Sequence, residues 1–371
     1  MIIGVPKETK NQEYRVGLTP SSVAECVKHG HTLIVQKDAG IGIGASDADY
    51  TAAGASIKNS AEEIFAVAEM IVKVKEPQAP EIAMLREGQI LYTYLHLAPD
   101  PTQTKGLIES GAICVAYETV TSPFGGLPLL APMSKVAGRL AVQAGAHCLE
   151  HPNGGLGALL GGAPGVPPLK VAIVGAGVVG SHSAHIAVGM GADVWVLDNN
   201  ADTLEKHWQQ FGRSTNTVFS TMSSIEEHVV SADLVIGGVL IPGAEAPKLV
   251  SEDMVKAMKT GSVLVDVAID QGGCFATSKV TTHDNPTYKL HDVVHYCVGN
   301  MPGGVPRTST YALNNVTLPF ALSIANKGVK QALLDDKHLA NGLNVHTGKI
   351  TCKEVAQDLG YDYVPAVDAL K

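Results

Sequence analysis

The chain has 371 residues, a length that allows two or three domains. Hydrophobic residues make up 45% and charged residues 17%, which supplies sizeable cores and excludes an intrinsically disordered chain. A formal net charge of −9 excludes general binding to nucleic acid or to anionic membranes, leaving room only for a local basic pocket.

From the N-terminus, MIIGVPKETKNQEYR brings charge at Lys7 before any apolar core of signal-peptide length, and no later apolar run is long enough to span a membrane. Ile2–Val5 reads as a strand. In KETKNQEYRVGLTP, Arg15 sits among polar residues beside a turn, either as a two-pronged clamp for a carboxylate or as a solvated surface side chain. Pro20 and Gly30 bracket a helix over Ser21–His29, followed by a strand at Thr32–Gln36. The next strand, Met70–Val74, leads into IVKVKEP, where Lys73 and Lys75 share one face and Lys75 ends the strand, as a ligand residue or as a snorkelling edge lysine. After the strand Ile90–Tyr94, His96 in ILYTYLHLAPD is a candidate general acid/base, the alternative being a satisfied, partly buried histidine. A further strand is expected at Ile113–Ala116.

HCLEH, with His147, Glu150 and His151, matches an inverzincin pattern, but no further ligand is assignable and no metal is expected. The stretch GGLGALLGGAPGVPP (154–168) is either a linker or a packed connecting loop. Strands follow at Lys170–Val174, Asp193–Leu197, Asp233–Gly238, Ser262–Val267 and Val294–Val298, and helical patterns return around Ala321–Leu334 and Lys353–Gly360. Such alternation predicts parallel sheets with helices on both faces. The six cysteines are scattered without a C-x-x-C, which favours reduced thiols and a cytoplasmic protein.

The strongest local motif is KVAIVGAGVVGSHSAHIAVGMGADVWVLD. A buried strand runs into Gly175-Ala-Gly177-Val-Val-Gly180, then a helix, then a second strand ending at Asp198. Gly175 permits the tight turn, Gly177 lets a pyrophosphate approach the backbone, and Gly180 lets helix and strand pack closely. The helix N-terminus offers free N–H groups and a positive dipole end. Asp198, 18 residues after Gly180, accepts hydrogen bonds from ribose hydroxyls and repels a 2′-phosphate, so the expected cofactor is NAD. Farther on, VLVDVAIDQGG places Asp270 beyond a strand's C-terminal end, and HYCVGNMPGGVPRTST places Asn300 and Met301 after another. Both segments also fit ordinary turn chemistry.

With IGVPKETKNQEYRVGLTP, IVKVKEP, YTYLHLAPD, APMSKVAGR, VAIVGAGVVG, DVAIDQGG and VGNMPGGVPRTST in order, the whole chain resembles the bacterial alanine dehydrogenases. The same fold family includes the NAD-binding component of proton-translocating transhydrogenase and, more distantly, saccharopine dehydrogenases. The resemblance implies an α/β protein in which a Rossmann-type doubly wound NAD domain (129–305) is inserted in a discontinuous α/β substrate domain (1–128 plus 306–371). It implies reversible NAD-dependent oxidative deamination of L-alanine to pyruvate and ammonia, and a homohexamer. Arg15 and Lys75 would then bind substrate, and His96 and Asp270 would be catalytic. Ser134, Gly175, Gly177, Val178, Val179, Gly180, Asp198, Ser220, Val239, Leu240, Val267, Ala268, Ile269, Asp270, Lys279, Val298, Gly299, Asn300 and Met301 would line the NAD site. Two positions depart from the family pattern: Thr203 stands near where a basic residue is frequent, and Lys279 where Arg is common. A soluble NAD(H)-binding transhydrogenase component is the alternative reading; a carrier of that kind does not need Arg15, Lys75, His96 and Asp270 as a set.

Overall fold

Short runs of aliphatic residues buried on both faces become the strands of two sheets. The computed structural model describes residues 1–239 and 246–371. In chain order the strands are β1 Ile2–Val5, β2 Thr32–Gln36, β3 Ser56–Lys58, β4 Met70–Val72, β5 Ile90–Thr93, β6 Ile113–Ala116, β7 Lys170–Val174, β8 Asp193–Asp198, β9 Asn216–Phe219, β10 Leu234–Gly237, β11 Val263–Asp266, β12 Thr287–Leu290, β13 Val293–Tyr296, β14 Leu343–His346 and β15 Lys349–Ile350. They fall into two units, Met1–Met133 with Val305–Lys371, and Ser134–Gly304.

The first unit holds an eight-stranded sheet, ordered β15-β14-β6-β5-β4-β1-β2-β3. From β6 to β3 all neighbours are parallel. Alternate side chains feed cores on opposite faces: Ile3, Val5, Met70, Val72 and Tyr92 on one, Ile71, Leu91 and Cys114 on the other. Strand order reverses between β1 and β4, so the chain leaving those two strands diverges to opposite sides and opens a crevice at their C-terminal ends.

The C-terminal segment differs from expectation by adding strands as well as helices. β14 pairs antiparallel with β6, and β15 folds back on β14. Thr347 and Gly348 join those two strands with φ of 45° and 85°, the doubly left-handed turn that suits a two-residue hairpin. The expected helix around Ala321–Leu334 is two helices, Pro306–Lys327 and Val329–Asp335, separated by Gly328 at φ 77°. The longer one starts well before the expected position and runs through Pro319, with Leu313, Ala321 and Ile324 packed into the core on either side of the proline.

The second unit holds a seven-stranded sheet, ordered β12-β13-β11-β10-β7-β8-β9, parallel except for β12. Val171, Ile173, Val263 and Val265 point into one core, and Ala172, Val174, Val235 and Leu264 into the other. Its order reverses between β7 and β10, the second switch point in the molecule. The Gly- and Pro-rich stretch 154–168 is a packed loop: Leu160 is buried in the core, and a bridge joins Ala163 to Val166.

Candidate functional site

At the reversal of the first sheet, the chain after β1 carries Glu8, Glu13 and Arg15. Arg15 is 2% exposed, which sets aside the solvated surface reading. Glu13, also buried, accepts from its Nε at 2.7 Å, from Nη2 at 2.5 Å and from its main-chain N–H at 3.1 Å. Nη1 points at the sulfur of Met133, 3.1 Å away. Burial works against the guanidinium's charge, but the bond to Glu13 and its attraction outweigh that, so the pKa of Arg15 is raised.

The KVKEP segment leaves β4 earlier than its pattern suggests. The strand closes at Val72, and Lys73 and Lys75 lie beyond it. Lys73 is fully buried between Glu8 (3.0 Å) and Glu81 (2.7 Å). Lys75 keeps its side chain 15% exposed, 3.9 Å from Glu76.

His96 follows β5 and is exposed, so the reading of it as a partly buried, satisfied histidine does not hold. Its φ of 49° is uncommon for a residue with a Cβ. Glu118 holds that conformation by accepting from the N–H of Leu95 at 3.0 Å and of His96 at 2.6 Å. The imidazole lies parallel to the ring of Tyr94, at 10° and 5.9 Å between centroids. Tyr94 is anchored through its hydroxyl to the Leu129 carbonyl, so the ring beneath His96 is fixed. Neither Glu13 nor Glu118 was legible as a functional residue, because each acts through a partner set by the fold.

At the reversal of the second sheet, β7 turns at Gly175, φ 101°, into the helix Val178–Gly189. A Cβ on Gly180 would lie 1.8 Å from the Gly175 carbonyl oxygen, and one on Gly175 would lie 3.0 Å from that of Gly238. A Cβ on Gly177 would meet nothing within 4 Å, and no side chain caps the helix there. The open backbone and uncapped N–H groups fit a dinucleotide pyrophosphate. Asp198, at the end of β8, gives one oxygen to the Ala176 N–H at 2.8 Å and the other to the Asn200 N–H at 2.9 Å. Ser220 donates its N–H to the Asp198 carbonyl at 2.9 Å. Val179 is buried while Val178 is exposed, and Val239 touches the Gly175 turn.

β11 ends in Asp266, a buried carboxylate that organises the next loop. It accepts from the N–H groups of Ala268 (3.1 Å), Cys274 (3.0 Å) and Phe275 (3.3 Å) and from the Ser278 hydroxyl (2.5 Å). Burial pushes its carboxyl pKa up, against those hydrogen bonds. The loop's short helix, Val267–Gln271, buries Ala268 and Ile269 and exposes Asp270. Asp270 lies against the Gly299 backbone, where a Cβ would come within 3.1 Å of Oδ1. Val298 and Met301 are buried; Asn300 has φ 57°, and its carbonyl is 3.2 Å from His283 Nε2. Gly175, Asp198, Val239, Asp270 and Asn300 thus all lie at or beyond C-terminal strand ends of one sheet. Ser134 is half-buried on the helix Ala131–Cys148, and Lys279 is exposed, its N–H on the Tyr288 hydroxyl. Leu240 lies outside the described residues.

Two family models match the chain: Alanine dehydrogenase/PNT, N-terminal domain, over residues 4–137, and Alanine dehydrogenase/PNT, C-terminal domain, over 141–353. The chain belongs to this family. An alanine dehydrogenase of Halomonas elongata is 58% identical over the full length of both chains, and one of Bacillus subtilis is 54% identical over all of this chain and 98% of its own. A solved L-alanine dehydrogenase superposes with a TM-score of 0.94 at 51% identity, covering 97% of this chain and 99% of its own. A transhydrogenase of Sinorhizobium meliloti shares the fold, with a TM-score of 0.81 at 24% identity over 95% and 99% of the two chains.

Other histidines of this family member have local partners, His147, His182 and His295 among them. His147 meets Glu150 at 3.3 Å, and buried His295 meets the Thr277 hydroxyl at 2.8 Å. Among the described residues no three His, Cys, Asp or Glu side chains converge as a metal site. His182 receives Arg139 Nε at 3.1 Å, and burial, reinforced by Arg139, holds its pKa down at about 4. Between its ordinary value of 6.5 and about 4, the unfolded chain binds a proton that the folded chain refuses, so stability falls as pH falls through that window. His182→Gln is expected to flatten the decline in Tm between pH 7 and 5, checked by thermal melts across that range.

Proposed function

We propose that the protein is an NAD-dependent alanine dehydrogenase that interconverts L-alanine with pyruvate and ammonia. The observation that carries the reading is Arg15: a guanidinium 2% exposed, backed by Glu13, at the ligand-binding end of a sheet separate from the Gly-turn sheet. A buried cation of this kind suits a small carboxylate substrate, and a nucleotide carrier does not need Arg15, Lys75, His96 and Asp270 as a set. The full-length identity to relatives named alanine dehydrogenase points the same way.

NAD, held by the Gly175–Gly180 turn and Asp198, would supply a hydride acceptor for the substrate's Cα hydrogen. Arg15 fixes the carboxylate and so sets the face that Cα presents; positioning of this sort contributes up to about 7–11 kcal/mol. His96 takes a proton from the water that adds to the iminium carbon and returns it as ammonia leaves the carbinolamine. Lys75 donates to the developing oxygen and stabilises its charge. Asp270, on the family pattern, would orient the water or ammonia. In the other direction the same groups aminate pyruvate reductively. In this reading Met1–Met133 with Val305–Lys371 is the substrate domain and Ser134–Gly304 the NAD domain. Ser134, Lys279 and Leu240 belong to the NAD lining on the family pattern. A cytoplasmic location is in keeping with six free, buried thiols. A homohexamer is proposed on the family resemblance alone, and light scattering on the purified protein tests it.

The direct test is NADH absorbance with pyruvate, ammonium and purified protein. NADH loss that requires both co-substrates is expected. No loss on any 2-oxo acid, with NADH binding intact, would leave the soluble transhydrogenase-type carrier as the better reading. Asp198→Ala is expected to narrow the preference for NADH over NADPH by removing the repulsion of a 2′-phosphate. It should also lower activity with NADH, since the same carboxylate holds the Ala176 N–H in the glycine turn. The ratio of kcat/KM for the two cofactors measures the first effect.

A further inference from the structure

The crevice between β1 and β4 contains more buried charge than packing requires. Lys73 Nζ bridges Glu8 and Glu81, all three buried, and Glu81 also accepts from the Gln78 N–H at 2.8 Å and the Thr9 hydroxyl at 3.2 Å. The free oxygen of Glu8 turns to the main chain, accepting from the Val74 N–H at 2.6 Å and the Lys75 N–H at 3.4 Å. On the other side of Lys75, the Thr93 hydroxyl donates to its carbonyl at 2.9 Å. The backbone is tied at adjacent points as well: the Tyr117 hydroxyl donates to the Lys73 carbonyl at 2.9 Å, and the Tyr94 N–H to that of Val74 at 3.3 Å. Lys75 therefore stands beyond the end of β4 with its main chain gripped on both sides and its ammonium 3.9 Å from Glu76.

We propose that Glu8 and Thr93 are positioning residues that act through Lys75: they fix its main chain so that the ammonium meets the substrate oxygen in one orientation. The proposal rests on the reading of Lys75 as a substrate-binding residue. A long, flexible side chain loses rotamer freedom whenever it binds, and a rigid root leaves only the side-chain torsions to be ordered. Glu8 is suited to this because Lys73 holds its carboxylate in place, and Lys73 keeps Glu81 as a partner when Glu8 is neutralised. The buried cation is therefore still compensated in Glu8→Gln.

The test is a double-mutant cycle on kcat and KM for pyruvate, with Glu8→Gln and Thr93→Val made in the native chain and in Lys75→Met. In the native background each is expected to lower kcat/KM for pyruvate by about tenfold while KM for NADH stays within about twofold. In Lys75→Met neither should lower it by more than about twofold. Equal losses in both backgrounds would overturn the proposal, because the two residues would then act on the fold at large. If Lys75→Met itself leaves kcat/KM unchanged, the substrate reading of Lys75 falls, and the proposal with it. Thr93→Val removes a single hydroxyl, so it keeps the test open should Glu8→Gln fail to fold.

Discussion

His96→Ala lowers kcat for pyruvate amination by about 10²–10⁴-fold, the loss expected when a general acid–base is removed. The side chain is exposed, so the substitution removes little packing and leaves Tm nearly unchanged. Its backbone complicates the interpretation, because φ is 49° and a residue held in such a region stores about 1–3 kcal/mol of strain. Glu118 maintains that strain by accepting both the Leu95 and His96 N–H groups. His96→Asn separates the two contributions, since asparagine tolerates the left-handed region and carries no titratable group. Equal losses in the Ala and Asn variants would assign the effect to the imidazole. Near-normal turnover in either would remove His96 from the proton-transfer role.

Arg15→Met is expected to raise KM for pyruvate by about 10²-fold or more, since truncating one member of a buried, hydrogen-bonded charge pair typically costs 2–5 kcal/mol of binding. The same change should lower Tm. It takes the guanidinium away from the buried Glu13 carboxylate, and removing one member of a buried ion pair costs about 3–5 kcal/mol of stability. Arg15→Met combined with Glu13→Leu removes both charges and should recover most of the Tm, because a buried ion pair exchanged for apolar side chains is often neutral. KM should remain high in the double variant. A double variant that regains both Tm and KM would show that the carboxylate is held elsewhere.

The parts of the fold that were legible in the sequence are those encoded locally. β7, the Gly175–Gly180 turn and Asp198 lie within one continuous stretch whose hydrophobic period, glycines and acidic end have separate physical causes. Arg15, Lys75 and His96 stood out as polar residues at strand ends and turns. Their supports did not. Glu13 is two residues from Arg15, and nothing in QEYR says that the two side chains fold onto each other. Glu118 reaches the His96 N–H only after β5 and β6 pair, and Glu8 reaches Lys75 only after β1 and β4 do. Polar partners brought together by parallel pairing leave no mark in a window of a few residues. The β14–β15 hairpin was missed for a different reason: its strands are short, and its one signal is the dipeptide Thr347-Gly348.

Asp266 has a consequence of its own. By collecting donors from Ala268, Cys274, Phe275 and Ser278, one carboxylate ties the chain from β11 to Ser278 into a ring, as a covalent staple would. The staple is made of hydrogen bonds, so it responds to no oxidant or reductant, and it forms only once the strand beneath it is in place. Asp270 rides on that ring, so its main chain is already in place before any ligand arrives, and the loop would need little further ordering on binding.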